Sequence, residues 1–572
     1  MATVEMHSHY MGLAGTALQT AIAVAAGLSF VAFGYGQGDV GGLIVESTFM
    51  NYFPSFETPI YAGSVIATWN IGCFVGAFFT IFLGDRLGRK GTVVTGLICE
   101  TIGKIIQCSS FGIGQYVAGR MIAGIGNGFV ASGVPAYQAE CLKTHRRGTL
   151  LLVSFGSCIT LGNAIAYWIV YAFSFTQPSS AAWRVPIILA AMFTLPALLV
   201  IVFMPESPRW LLLKGREQEA MNVLSALNEL PIDHEDTRRE ILQIKYAVKH
   251  MASSAPGQVF TNGEYRYLQR TLLAVGLQIM QQFTGVNIFI QYLAAMFVNQ
   301  LRYANRVSMV LAACCSTEFF LASVGVVFVI DRFWGRRDLT IFGASGMCFC
   351  MVMLTIFNWL GLENGEPWAF KVMTAFLFLY LTFFAIGWQG MSWMWAVELV
   401  PLSIRGPANA MSTAANWLSN FVVVLVTPVM FDDITWRTYV VFAVTNFCFI
   451  PVIYIFYPET GARSLEEVDI VFKSASQRGN PWLSAVKAAK EEPKWYDKNG
   501  EPTDSYGGSE KDDIEKGMAT SSGDNSSSPE RMFNAQPVQP RRTSMEPRFS
   551  DEGWHDHVAA PAPSIRRTHS SQ

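Results

Sequence analysis

The chain alternates long apolar runs with short polar breaks. Crossing the hydrocarbon of a bilayer takes about 20 mostly apolar residues. Twelve runs of that kind occur, at residues 17–38, 60–83, 92–110, 113–137, 149–173, 185–204, 271–298, 308–330, 339–361, 371–397, 406–430 and 437–457. Between the sixth and seventh, residues 205–270 keep a helical period (REQEAMNVLSALNELP, TRREILQIKYAVKHMA) but carry too much charge to insert, which predicts surface helices. After Phe472 Ser, Pro, Gly, Asp and Lys take over, and too little apolar surface remains to fold. The pattern predicts an all-α membrane protein: an N-terminal segment (1–16), a six-helix half (17–204), a helical linker (205–270), a second six-helix half (271–457) and a mostly disordered tail (458–572).

Basic residues are retained on the cytoplasmic side of a membrane. Arg86, Arg89 and Lys90 follow the second run, Lys143, Arg146 and Arg147 the fourth, and Arg332, Arg336 and Arg337 the eighth. Residues 41–59 hold Glu46 and Glu57 but no Lys or Arg. Both termini, the linker and the tail are therefore expected in the cytoplasm. Before the first run stand Glu5, His7 and His9, with no basic segment and no small-residue cleavage site, so the first helix is expected to stay.

Composition supports a bilayer as the solvent: 51% of residues are hydrophobic and 15% charged, against roughly 25% charged in soluble domains. A net charge of −2 without a basic stripe argues against a nucleic-acid partner. The ten cysteines lie mostly inside apolar runs, without CxxC pairs, and read as small apolar fillers. No metal spacing, Ser/His/Asp grouping or phosphate loop stands out, so neither an enzyme nor a cofactor is expected. Gly124, Gly126 and Gly128 follow no strand and read as close-packing positions between helices.

Three patterns recur at an offset of about 250 residues, the mark of an internal duplication. GDRLGRK (Gly84–Lys90) returns as DRFWGRR (Asp331–Arg337), AECLKTHRRG (Ala139–Gly148) as VELVPLSIRG (Val397–Gly406), and PESPRW (Pro205–Trp210) as PETG (Pro458–Gly461). Transporters whose halves rock about a central site are built this way. With GRMIAGIGNG (Gly119–Gly128), QQFTGVN (Gln281–Asn287), NWLSN (Asn416–Asn420) and PETGARSLEEVD (Pro458–Asp469), these residues resemble the sugar porters of the major facilitator superfamily, fungal members most of all. The resemblance spans residues 25–472. It implies the major facilitator fold and alternating-access transport of a sugar, hexose foremost, with pentose, disaccharide, glycerol or another polyol as alternatives.

The duplicated motifs gather acids and arginines at helix ends, where carboxylate–guanidinium pairs are bidentate. Asp85, Arg86, Arg89, Glu140, Arg147, Glu206, Arg209, Asp331, Arg332, Arg336, Glu398, Arg405 and Glu459 are expected to form an inward gate whose pairs bridge the halves and break on opening. The alternative is that these charges only fix topology. Within the seventh run, Gln281, Gln282 and Asn287 place amides where lipid would penalise them, offering donors and acceptors to hydroxyls. Interhelical bonding is the alternative. The resemblance carries sugar binding onto these three, and onto Trp393, Asn416 and Trp417; Gln389 is added by inspection. The sequence departs from the family at Phe155, which stands where a sugar-binding Gln is usual and is expected at the substrate site, at Ala385, and at Glu318 near a missing Asn.

Symporters of this family carry an Asp in the first helix opposite a fourth-helix Arg. Arg120 matches the Arg, but FGYGQGDVGG has Gly36 at the acid's place. Asp39 lies three residues on, about 4.5 Å along the same helix face. Glu100 and Lys104, at i and i+4, can pair with each other. Coupling through Asp39, through Glu318 or Glu100, and uncoupled facilitation all stand open. The expected partners are a sugar or polyol, protons, the lipid bilayer of the plasma membrane, and kinases or ubiquitin ligases acting on the tail at RRTS (541–544), RRTHS (566–570), Lys487 and Lys490. A nutrient sensor signalling through that tail is the alternative function.

Overall fold

The computed structural model describes Tyr10, residues 12–142, 152–232, 234, 237, 241, 244, 256–329, 334–461, 463 and 465–494. Among these residues the chain is helical, with one isolated bridge between Tyr10 and Leu13. Nine helices are long and apolar enough to cross a membrane: α1 (Gly15–Leu43), α2 (59–87), α5 (153–173), α6 (181–203), α8 (Asn305–Val329), α9 (Arg336–Glu363), α10 (367–399), α11 (Arg405–Asp433) and α12 (Arg437–Phe456). Three more segments, α3 (89–108), α4 (Ile113–Cys141) and α7 (267–299), occupy the remaining places expected from hydropathy. They carry the charges and breaks that lower their mean hydropathy.

The chain turns from α2 into α3 at Gly88, whose φ of 83° and ψ of 174° are closed to other residues. Glycines on both faces of α4 allow its neighbours close: Gly124 and Gly128 lie against Gly72 and Cys73 of α2, and Gly126 against Gly96 and Glu100 of α3. The expectation of small-residue packing is met there. At the seam between the halves α2 runs along α11 and α5 along α8. Phe78, Phe82, Leu199, Phe328, Val444 and Phe447 are exposed on the outer faces of spanning helices, an apolar belt that suits lipid and not water.

α7 is broken at Gly285 (φ 91°) and again at Tyr292. The first break frees backbone carbonyls in a place without water, and neighbours satisfy them. The Tyr380 hydroxyl and the Asn446 amide donate to the Thr284 carbonyl at 2.8 and 2.9 Å, and Thr445 donates to the Phe283 carbonyl at 2.9 Å.

In the linker, Pro208–Leu213 and Glu217–Asn228 are helical, as the pattern predicted; most of residues 233–255 lie outside the description. Order continues further into the tail than composition suggested. Leu465–Ser476 is followed by a second helix, Pro481–Glu491, which Asn480 caps by accepting from the Trp482 N–H. Arg270 ties the first of these to the bundle, donating to the Leu399 carbonyl at 2.6 Å and pairing with Asp469 at 2.6 Å. Arg463 joins the two by donating to the Ala489 and Glu492 carbonyls, both at 2.7 Å. Val468, Val471, Phe472 and four alanines are buried in this segment, and charged contacts from Arg270 and Glu264 fasten it, although its average composition is polar.

Candidate functional site

α5 and α10 each contain one π-helical turn, Val153–Cys158 and Ala385–Gln389. Such turns widen a helix and redirect the side chains they carry. Here they present Phe155 and Gln389 to each other across the seam. The Gln389 amide donates to the Phe155 carbonyl at 3.1 Å, and the Phe155 ring stacks on Trp393, centroids 5.1 Å apart and planes 8° from parallel.

Beside this stack lies a small cavity. Gln37, Gln281, Gln282, Asn287, Gln389, Asn416 and Asn420 line it with carboxamides, and Phe33, Phe384, Trp393 and Trp417 with aromatic faces. Among the described residues none that lines it is charged. The amides hold one another in place. Asn416 donates to Gln278 at 2.7 Å and to Gln281 at 3.1 Å, Gln281 donates to the Trp388 carbonyl at 3.3 Å, and Asn287 donates to Gln282 at 2.6 Å. Trp417 packs against Phe33 and Trp69, each 5.4 Å away between centroids. Its indole N–H is buried without a hydrogen-bond partner, as is the Asn420 carbonyl oxygen. Unused polar atoms at a cavity wall are available to a ligand.

The structure thus brings the eight expected substrate residues, Gln281, Gln282, Asn287, Trp393, Asn416, Trp417, Phe155 and Gln389, around one region. Sequence reasoning missed Phe33, Gln37, Gln278 and Asn420. Helical spacing signals two of them: Gln278 is three residues before Gln281, and Asn420 four after Asn416.

The charged candidates separate. Asp39, 0% exposed, accepts from the Lys104 ammonium at 2.5 Å. Arg120 instead donates to the Ile66 carbonyl of α2 at 3.1 Å. The expected facing of Asp39 and Arg120 as a pair is therefore replaced by a bond from α1 to α3, and Lys104 is bonded to Asp39 where pairing with Glu100 was expected. The reason lies in the packing: the Lys104 ammonium lies beside α1 at Gly36, 3.6 Å from where a Cβ would stand, and so reaches Asp39, while Arg120 is held by the α2 backbone. Glu318 lies apart, half-buried between α8 and α10, and accepts from the Thr382 hydroxyl.

At one end of the bundle the duplicated motifs build two matching stations. Glu206 accepts from the backbone N–H of Arg89 and Lys90, both at 3.0 Å; Glu459 accepts from those of Arg336 and Arg337, both at 3.0 Å. Arg89 pairs with Glu140 at 3.4 Å and Arg336 with Glu398 at 3.1 Å. The Ser207 hydroxyl donates to Glu140, and that of Thr460 to Glu398 at 2.6 Å. These described pairs join helices within a half, where pairs bridging the halves were expected. Each copy of the repeat holds acid, base and acceptor together, so each closes on itself. Arg405 donates to the Val400 carbonyl at 3.3 Å, Arg209 is half-buried and Arg86 exposed. Arg147, Asp331, Arg332 and the side chain of Asp85 lie outside the described residues.

A family model described as "Sugar (and other) transporter" matches residues 21–472. "Sugar transporter STL1" of Saccharomyces cerevisiae is 36% identical over 498 residues, covering 84% of this chain and 85% of that protein. "High glucose sensor RGT2" of the same yeast is 29% identical, covering 77% of this chain and 59% of its own length. In fold, the chain is similar to the proton:xylose symporter XylE bound to 6-bromo-6-deoxy-D-glucose, with a TM-score of 0.69 at 22% identity over 80% of this chain and 99% of that one. Two halves with matching stations, an apolar outer belt and a match to the family model across nearly all of the described bundle establish that this chain belongs to the sugar transporter family of the major facilitator superfamily, as a multi-pass membrane transporter.

Proposed function

We propose that this transporter carries an uncharged, hydroxyl-rich solute of monosaccharide size or smaller across the plasma membrane by alternating access, with its termini, linker and tail in the cytoplasm. The cavity is the observation that carries this reading: seven carboxamides and no charge among its described lining residues. Carboxamides offer donors and acceptors together, as hydroxyl groups require, and aromatic faces suit the C–H surface of a sugar. Gln281, Gln282, Asn287, Asn416 and Gln389 would meet the hydroxyls, and Trp393 and Trp417 the carbon skeleton. The stack of Phe155 on Trp393 favours a short acyclic polyol over a pyranose lying flat on the indole. The names of the relatives point to sugars, and that of the XylE symporter to proton coupling, which we place at Asp39. The two stations would then steady each half while the halves move, and the tail would serve kinases and ubiquitin ligases as a regulatory address.

The test is uptake of radiolabelled D-glucose, D-xylose, glycerol and sucrose by transporter-deficient cells expressing the full chain, with and without a protonophore. Saturable uptake of one or more of the first three is expected, sucrose being excluded and the protonophore abolishing accumulation. Absence of saturable uptake of every polyhydroxylated compound would overturn the reading.

A further inference from the structure

Next to the substrate cavity four charges are buried in the first half: Asp39 on α1, Glu100 and Lys104 on α3, and Arg120 on α4. Only one contact between them is a close ion pair, Lys104 to the Oδ2 of Asp39 at 2.5 Å, with both side chains within 2% of full burial. The other oxygen of Asp39 and the Oε2 of Glu100 are buried without hydrogen-bond partners. Arg120 is turned to the α2 backbone. The remaining titratable groups in electrostatic reach are Tyr35, Tyr116 and Tyr167 around Asp39, from α1, α4 and α5, Cys73 of α2 beside Glu100 and Arg120, and Tyr292 of α7 beside Arg120. None of these five supplies a cation.

Two carboxylates on different helices therefore stand near one lysine ammonium, Asp39 bonded to it and Glu100 one turn away along α3. A lysine ammonium is a compact charge on a flexible four-carbon stem, and Glu100 stands one turn before Lys104, at the spacing that allows a pair along one helix. An unpaired ammonium in the interior is costly, so a second carboxylate within reach is what makes release from the first feasible. We propose that Lys104 passes between Asp39 and Glu100, clamping α1 to α3 in one state and freeing α1 in the other, and that a proton arriving on Asp39 drives the exchange. One proton from water adds to the Asp39 carboxylate; the ion pair is lost; the ammonium keeps its three protons and turns to the Glu100 carboxylate. When Asp39 gives its proton to water on the opposite side, Lys104 returns, so one proton crosses and nothing else is consumed. α1 transmits the change because it lines the cavity through Phe33 and Gln37. It also touches the seam at Gly41, where a Cβ would overlap the Tyr167 hydroxyl and approach the Gln291 carbonyl.

This inference rests on the proton-coupled reading above, and the experiment separates the two. The full chain is reconstituted in liposomes with radiolabelled D-glucose, D-xylose and glycerol as probes; accumulation on an inward acid gradient is measured beside exchange at equal pH. Glu100→Gln, which leaves the Asp39–Lys104 pair intact but removes the ammonium's second station, is expected to lower accumulation on the order of tenfold more than exchange. The double variant D39N/K104Q, which removes the pair and leaves the net charge of the cluster unchanged, is expected to exchange and not to accumulate. Accumulation by Glu100→Gln equal to wild type, or loss of accumulation and exchange in equal proportion, would overturn the role of Glu100. Accumulation by D39N/K104Q would overturn that of the pair. A wild-type protein that accumulates none of the probes overturns the coupled reading itself.

Discussion

The two halves are alike at their ends and unlike in their interiors. Each station has a carboxylate capping two backbone N–H groups and an Arg–Glu pair beside it. Inside, the first half buries Asp39, Glu100, Lys104 and Arg120, while α7, α10 and α11 of the second present Gln281, Gln282, Asn287, Gln389, Asn416 and Asn420. Duplication fixed what the fold needs at every copy, the closing of helix ends. It left the interiors free to diverge, one toward buried charge and the other toward uncharged carboxamides. The cost of being wrong differs accordingly, because an orphaned buried charge is penalised more than an orphaned amide.

The largest effect is therefore expected in the first half. Lys104→Ala strips the cation from two buried carboxylates and should cost about 3–5 kcal/mol, read as loss of the folded monomer after detergent extraction and a lowered unfolding midpoint. Asp39→Ala should cost clearly less, since Glu100 can receive the ammonium. Equal costs for the two would break the picture of a shared cation.

Next in size is a test of how alike the stations are. Gly88 has φ 83° and ψ 174°, whereas Gly335 has φ −82° and ψ 176°, which any residue adopts. A Cβ would overlap the carboxylate of Glu206 at the first and of Glu459 at the second. Both alanine variants meet that crowding, but only Gly88→Ala adds backbone strain, about 1–3 kcal/mol. Thermal unfolding of the two in parallel should place Gly88→Ala below Gly335→Ala; the reverse order would mean that crowding, not backbone, governs these turns.

The spans, the duplication and the amides of QQFTGVN were legible because each rests on a local pattern: run length, repeated words, polar residues in an apolar stretch. The partner of Lys104 was not. Spacing along α3 pointed to Glu100, and only the packing of α1 on its neighbours reveals Asp39 as the bonded acid. Gln278, Asn420, Gln37 and Phe33 went unnoticed because a cavity wall is assembled from five helices far apart in sequence. The helix Pro481–Glu491 escaped for the opposite reason: it is too short and too polar to stand out by composition, and Arg463 fastens it from outside the segment.

In the second half the expected effects are on affinity. Gln281 donates to the Trp388 carbonyl and accepts from Asn416, so Gln281→Ala removes a donor and an acceptor from the cavity wall. At about 1–3 kcal/mol for buried groups left unsatisfied, half-saturation should rise on the order of ten- to a hundredfold while the folded yield holds. A fall in yield with unchanged half-saturation would make Gln281 a structural amide and weaken the contrast between the halves.

The smallest effect concerns a residue of the first half whose ring stacks on the second. Phe155 covers Trp393 with planes 8° from parallel, and its carbonyl receives the Gln389 amide. Because that bond uses the backbone, Phe155→Ala keeps it and removes only the ring. The space released lies against the indole face, where a pyranose would stack, so glucose gains a surface that glycerol, lacking a ring, uses little. The ratio of initial uptake rates, glucose over glycerol, should shift toward glucose roughly three- to tenfold, the range expected for reshaping one apolar wall of a pocket. An unchanged ratio would show that the stack opens during every cycle; selectivity would then reside wholly in the amides of the second half.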